Sequence, residues 1–292
     1  MKIYDCFTFY NELMLLELRL ETLWDKVDFF VIAESPFTHS GQHKPLYFYE
    51  NQHLFSKFAT KIRHIVVSDM PSGLTRNNAW EREHHQRQSL MRGLWDMQPN
   101  DLIITSDVDE IPRPTCVQDC QKDTSNARWI LFCPMYLYKF NYMRIANNLA
   151  MPWIAGPNII VTKAQIFTDP QTERSFTFPW TPLPASTRFI AHGGWHWSSL
   201  GDNTHGILKL QSFAHTEANV PEIIENFDIF KFIVSKSSHE GPGQHFETVV
   251  VDDYFPQSLT DNRQKYTSFI LPETQFSTLD FYSKDIIHAH RS

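Results

Sequence analysis

Two runs of uninterrupted apolar residues, Phe29-Phe30-Val31-Ile32-Ala33 and Leu102-Ile103-Ile104, constrain the fold of this chain more than any other feature. A strand that is apolar at every position leaves no face for water, and such strands belong to sheets covered on both sides. Helical spacing lies between and around them. Glu12–Leu23 carries Leu13, Leu16, Leu20 and Leu23 on one face, the period of an amphipathic helix. Lys2–Phe9 and His64–Val67 read as further strands, and Ala79–Met97 as a long helix with Trp80, His84, Arg87, Met91 and Trp95 near one side. Strands alternating with helices predict an α/β fold, a mainly parallel sheet with helices on both faces. Ligands of such sheets bind beyond the carboxyl ends of the strands, and this rule sets Asp5, Glu34 and Asp107 along one rim.

The second half is less regular. Arg128–Tyr138 and Ile159–Val161 read as strands, and Thr168–Thr187, rich in Pro, Thr and Ser, as a long surface loop. Thr204–Ala218 and Pro221–Ser235 have the spacing of two amphipathic helices, and Ser237–Gln244, with Gly241-Pro242-Gly243, reads as a mobile loop. No linker divides the chain, so one domain is expected, with a nucleotide-binding half over residues 1–115 and an acceptor-side half over 116–292.

Composition prunes the function classes. A formal charge of −7 over 292 residues is the wrong sign for a nucleic-acid binder. No run of about 18 apolar residues exists to span a membrane, and a cytoplasmic setting with reduced thiols is expected. Walker, Gly-x-Gly-x-x-Gly, Gly-x-Ser-x-Gly and His-Glu-x-x-His patterns are all missing, which argues against kinases, common dehydrogenases, serine esterases and zincins.

What remains is an acidic pair. Leu102–Thr105 runs into Ser106-Asp107-Val108-Asp109-Glu110, and two carboxylates one residue apart in extended chain point the same way. They repel unless a hard cation such as Mn2+ or Mg2+ lies between them and a phosphate. A second signal is Gly193-Gly194-Trp195-His196, which offers His196 as a further metal ligand or a partner for a leaving diphosphate; His192 and His215 are weaker versions. A third is the segment Trp80 to Arg92, where an arginine facing the strand ends can clamp a diphosphate or pair with a uracil edge. Arg87, on one side with Trp80 and Met91, is expected to be buried against the sheet, while Arg82 and Arg92 read as a solvated face.

Taken together, Lys2-Ile3-Tyr4-Asp5-Cys6-Phe7 with Asn11-Glu12-Leu13, Val27–Val31 through Glu34-Ser35, Lys44–Phe48, Asp107–Pro112 and Gly194-Trp195-His196 resemble glycosyltransferase family 17, in family order. The resemblance implies a GT-A-type fold, a UDP-sugar donor with UDP-GlcNAc first, Mn2+ or Mg2+, and inversion at the anomeric carbon. It implies that Asp107 and Asp109 hold the metal and that Glu34 contacts ribose or uracil, with Trp80 and Arg87 also matched. Animal members carry a membrane anchor, so this chain reads as a soluble bacterial or viral relative acting on a glycan or another hydroxyl acceptor. The catalytic base is expected at Asp202, then Glu217, then Glu110. A metal-dependent phosphodiesterase or nuclease, and a glycan-binding module using the 14% aromatic content, are the rival readings.

Overall fold

In the computed structural model, β1 (Ile3–Phe9), β2 (Phe29–Glu34), β3 (Ile62–Val66) and β4 (Leu102–Asp107) form a parallel set in which β1 lies between the two apolar runs. The structure describes residues 1–73, 75–125, 127–145, 159–176, 183–239, 244–272 and 274–281. The remaining strands are β5 (Glu110–Pro112), β6 (Arg128–Leu131), β7 (Met135–Leu137), β8 (Tyr142–Ile145), β9 (Ile159–Lys163), β10 (Thr187–Ile190), β11 (Gly194–Ser198) and β12 (His245–Thr248). They complete a seven-stranded sheet of order β10-β6-β9-β4-β1-β2-β3 and build a second, five-stranded sheet of order β12-β8-β7-β11-β5. Within the first sheet only β9 runs against its neighbours.

The helices are α1 (Leu13–Leu23), α2 (Tyr47–Asn51), α3 (Arg76–Gln88), α4 (Pro114–Lys122), α5 (Pro170–Arg174), α6 (Asn203–Ser212), α7 (Pro221–Glu225), α8 (Ile229–Val234) and α9 (Gln257–Asp261). Both faces of the large sheet are covered, as the all-apolar strands require. On one, Leu16 and Leu20 of α1 join Phe7, Phe30 and Ile104. On the other, Leu90 and Leu94, just past α3, join Tyr4, Val31 and Ile103. Leu210 of α6, Ile229 of α8 and Phe227 between α7 and α8 form a cluster with Leu137 and Phe246 of the second sheet and with Tyr138 just past β7.

Five sequence expectations change. Arg128–Tyr138 is two strands in two sheets, broken at Phe132-Cys133-Pro134, where proline has no N–H to give a ladder. Ala79–Met97 is α3 followed by a tighter turn over Ser89–Gly93, and Thr204–Ala218 and Pro221–Ser235 are likewise shorter pieces. Thr168–Thr187 is not all loop: Asp169 caps the first turn of α5 and Pro170 begins it, the residue pair that starts helices. Residues 177–182, and the 240–243 part of the segment read as mobile, lie outside the described residues.

The two sheets meet where β4 ends at Asp107 and β5 begins at Glu110, so Val108 and Asp109 carry the chain from one sheet to the other. Gly194 on β11 permits this junction, since a Cβ there would lie 2.2 Å from the Ile111 carbonyl oxygen. The junction rests on Arg19 of α1, which is wholly buried with Asp5. Its guanidinium donates to both Asp5 oxygens (2.6 and 2.8 Å), to Ser106 Oγ (2.6 Å) and to the carbonyls of Asp107 and Glu110 (2.8 Å each). Removing one member of a buried ion pair strands the other charge. Arg19→Met should therefore lower unfolding free energy by about 3–5 kcal/mol in urea denaturation, whereas a loss below about 1 kcal/mol, the scale of a surface pair, would deny Arg19 this role.

Candidate active site

The acidic turn is held from several sides. β1 is in register with β4 so that Thr8 stands opposite Asp107, and its hydroxyl donates to Asp107 Oδ1 at 3.3 Å. The Glu110 carboxylate accepts from the Asp107 N–H at 2.9 Å and closes the turn. Antiparallel pairing of β11 with β5 sets His196 against Glu110, and the Trp197 N–H donates to the Asp109 carbonyl at 2.8 Å. The Gly-Gly-Trp-His segment and the Asp-x-Asp segment are thus neighbours through strand pairing.

Three cations converge on these carboxylates. Arg174 of α5 donates to Glu110 Oε2 at 2.6 Å and to Asp107 Oδ2 at 2.8 Å. Arg87 of α3 donates to Asp107 Oδ1 at 3.3 Å, to Glu83 at 2.8 Å and to Gln171 at 2.7 Å. Lys209 of α6 reaches Asp109 Oδ2 at 3.2 Å, and His196 Nε2 lies 3.9 Å from the other Asp109 oxygen. Burial alone would raise the Asp107 carboxyl, but Arg174 and then Arg87 outweigh it and hold the group well below the usual carboxylate range. Glu110 goes the other way: burial pushes it up, and Arg174 offsets this only in part. Two carboxyls three residues apart are therefore driven in opposite directions.

The turn faces a cavity of about 540 Å³, within the roughly 300–1,000 Å³ of small-molecule sites. Of the residues singled out in the sequence, Trp80, Arg87, Asp107, Asp109, Glu110 and His196 line it, as does His215. Trp80 stands edge-on to His215, ring centroids 4.7 Å apart, at one wall. The lining draws on both halves of the chain, from Thr8 to His215.

Other expected residues do not reach this cavity. Asp5 sits three residues below the rim, since its register partner on β4 is Ile104, and Arg19 takes both its oxygens. Glu34 is at the rim yet wholly buried, accepting from the Phe48 N–H at 2.9 Å and bonded to His64 at 3.0 Å. Asp202 is the exposed cap of α6, accepting from the His205 N–H at 3.0 Å. Glu217 is an exposed partner of His215. Arg82 is buried, not solvated, and donates to the carbonyls of His39 and Gly73 at 2.6 Å each; Arg92 is exposed and pairs with Asp69. His192 packs on Tyr254, to whose hydroxyl it is bonded at 2.8 Å, outside the cavity.

Sequence reading missed Arg174, Lys209 and Glu12. Only Arg174 had a usable signal, its place in the turn after Asp169-Pro170. For a divalent cation, no three His, Cys, Asp or Glu side chains among the described residues form a ready cage. Asp109 and His196 nonetheless offer a hard oxygen and an imidazole nitrogen side by side. That suits a Mn2+ or Mg2+ ion that takes its other ligands from substrate phosphates. Asp107, expected to share the metal, also lines the cavity and has both oxygens facing guanidiniums.

A family model described as Glycosyltransferase family 17 matches residues 1–237. Over 108 residues the chain is 33% identical to the Homo sapiens beta-1,4-mannosyl-glycoprotein 4-beta-N-acetylglucosaminyltransferase and 32% identical to the Mus musculus protein of the same name. Each match covers 35% of this chain and 20% of the relative.

The His192 imidazole, pushed down to about 4 by burial and by Arg113, gives a pH test of this packing. Its folded pKa lies below the unfolded value of about 6.5, so the unfolded chain binds more protons in between. Stability from this group is complete above about pH 6.5 and is lost toward pH 4, by on the order of 3 kcal/mol at most. Urea denaturation at pH 7 and pH 4.5 should show a smaller drop for His192→Asn than for the wild type; equal drops would mean that His192 is not held neutral.

Proposed function

The chain belongs to glycosyltransferase family 17, and from that premise we propose that it moves a sugar, GlcNAc first, from a UDP-sugar to a hydroxyl of a glycan or other acceptor, with inversion at the anomeric carbon. The observation that carries this reading is the Asp107–Glu110 turn, set at the end of a parallel strand and facing a cavity together with Arg87, Arg174 and Lys209. A GT-A-type arrangement is supported by the parallel β4-β1-β2-β3 set with its acidic turn at the carboxyl edge. No helix among the described residues is long and apolar enough to cross a membrane; a cytoplasmic reaction is a separate part of this proposal.

Asp109 and His196 would hold a Mn2+ or Mg2+ ion, which would supply charge neutralisation to a leaving diphosphate. The protein's own groups do the rest. Arg174 and Arg87 fix the Asp107 carboxylate and keep positive charge at the floor of the cavity. Lys209 brings a third positive charge to the opposite side of the turn, where phosphate oxygens can meet it. Trp80 presents an aromatic edge and face at the wall, suited to a nucleobase.

Thermal shift with UDP, GDP, CMP and dTDP sugars should show stabilisation by UDP-sugars that is larger with Mn2+. Saturation at about 100 times Kd corresponds to roughly 2.7 kcal/mol. Asp109→Asn should cut transfer by about 10²–10³, the loss of several kcal/mol of charge stabilisation. Full transfer by Asp109→Asn would contradict the metal assignment. Phosphodiester hydrolysis without a sugar nucleotide, or metal-free glycan binding without UDP release, would contradict the transferase reading itself.

A further inference from the structure

Beside the large cavity lies a second one of about 260 Å³, and the two share Glu12, Asp109 and Lys209. Leu13, Met14, Leu200 and Phe269 give the smaller cavity apolar walls, while Asn11 and His205 give it polar ones. It is about half the volume of its neighbour and below the roughly 300 Å³ at which drug-sized ligand sites begin. A nucleoside diphosphate does not suit it; one sugar ring does, with C–H faces against the apolar walls and hydroxyls toward the polar ones.

Glu12 stands at the junction. Its Oε2 is tied down, accepting from the N–H groups of Tyr10 at 3.2 Å and Asn11 at 3.0 Å. Among the described residues no hydrogen-bond donor reaches Oε1. The other carboxylates of the large cavity are all engaged by cations: Asp107 and Glu110 by Arg174, Asp109 by Lys209, Glu83 by Arg87. Burial also raises the Glu12 carboxyl, Lys209 offsetting and Asp109 adding to it. A carboxylate held by one oxygen and open at the other is oriented to take a proton.

We propose that the smaller cavity is the acceptor subsite for one sugar ring, and that Glu12 Oε1 takes the proton of the attacking hydroxyl. This rests on the transferase reading above. As the acceptor oxygen bonds to the anomeric carbon, the bond from that carbon to the diphosphate oxygen breaks and its electron pair leaves with UDP. The hydroxyl proton passes to Glu12 and then to water.

Azide separates the roles, because it is already an anion and attacks the anomeric carbon without a base. With UDP-GlcNAc as donor, Glu12→Gln should lower transfer to a hydroxyl acceptor by about 10²–10⁴. Transfer to azide and the affinity for UDP should each stay within about threefold of the wild type. Leu200→Trp, which fills the smaller cavity from its wall, should raise the acceptor KM about tenfold or more and leave UDP affinity unchanged. Equal losses toward azide and hydroxyl, a loss of UDP affinity, unchanged hydroxyl transfer by Glu12→Gln, or an unchanged acceptor KM in Leu200→Trp would each overturn the proposal while wild-type transfer still stands. A wild type that transfers to neither nucleophile from any sugar nucleotide would overturn the transferase reading, and this proposal with it.

Discussion

One guanidinium ties the structure together at the place where its two sheets meet. Arg19 is fully buried, and its charge is met by Asp5 on β1 and by carbonyls on both sides of the sheet junction. A chain leaving one sheet for another must turn out of both ladders, which leaves carbonyls without strand partners. Arg19 supplies donors to the carbonyls of Asp107 and Glu110, with a longer contact to Val108 at 3.4 Å. With the carbonyls drawn inward to Arg19, the carboxylates of Asp107 and Asp109 line the cavity. Asp5 matters to this site as the counter-charge of Arg19.

The charges above the turn follow a similar logic at a different depth. Burial would favour a neutral Arg174, but Asp107 and Glu110 hold it charged, and its planar fork meets both carboxylates at once. A lysine cannot do that from one position. Lys209, a point charge, meets Asp109 and the Ser198 hydroxyl among the described residues. The resulting site has acids and cations close to balance, which suits the proposed diphosphate and divalent cation, whose charges largely cancel.

Much of the plan could be read from the residues because it follows from strand physics. All-apolar strands required covered faces, and an acidic pair at the end of one of them fell at the rim. Placement within strands could not be read. Asp5 and Asp107 look alike in the sequence, but the register puts Asp5 opposite Ile104 and only Thr8 opposite Asp107. Arg19 was hidden among the leucines of α1, where a charge ordinarily marks the wet side. Arg174 was hidden in a segment whose Pro, Thr and Ser content suggests a loop, although Asp169-Pro170 marks a helix start. The second sheet escaped notice because its strands are three to five residues long, too short for alternation to declare itself. Its pairing of His196 with Glu110 was legible only as two motifs of one family.

The central claim is that the turn held by Arg19 presents Asp109 and His196 to a divalent cation that arrives with a nucleotide diphosphate. Electron paramagnetic resonance of Mn2+ tests it most directly, because the free-ion signal falls when the ion is bound. Little loss of that signal is expected with protein alone, and with UDP a strong loss beyond that caused by UDP itself, the excess being abolished in His196→Ala with Asp109→Asn. A wild-type protein that leaves the UDP–Mn2+ signal unchanged, or a double variant that binds as the wild type does, would contradict it.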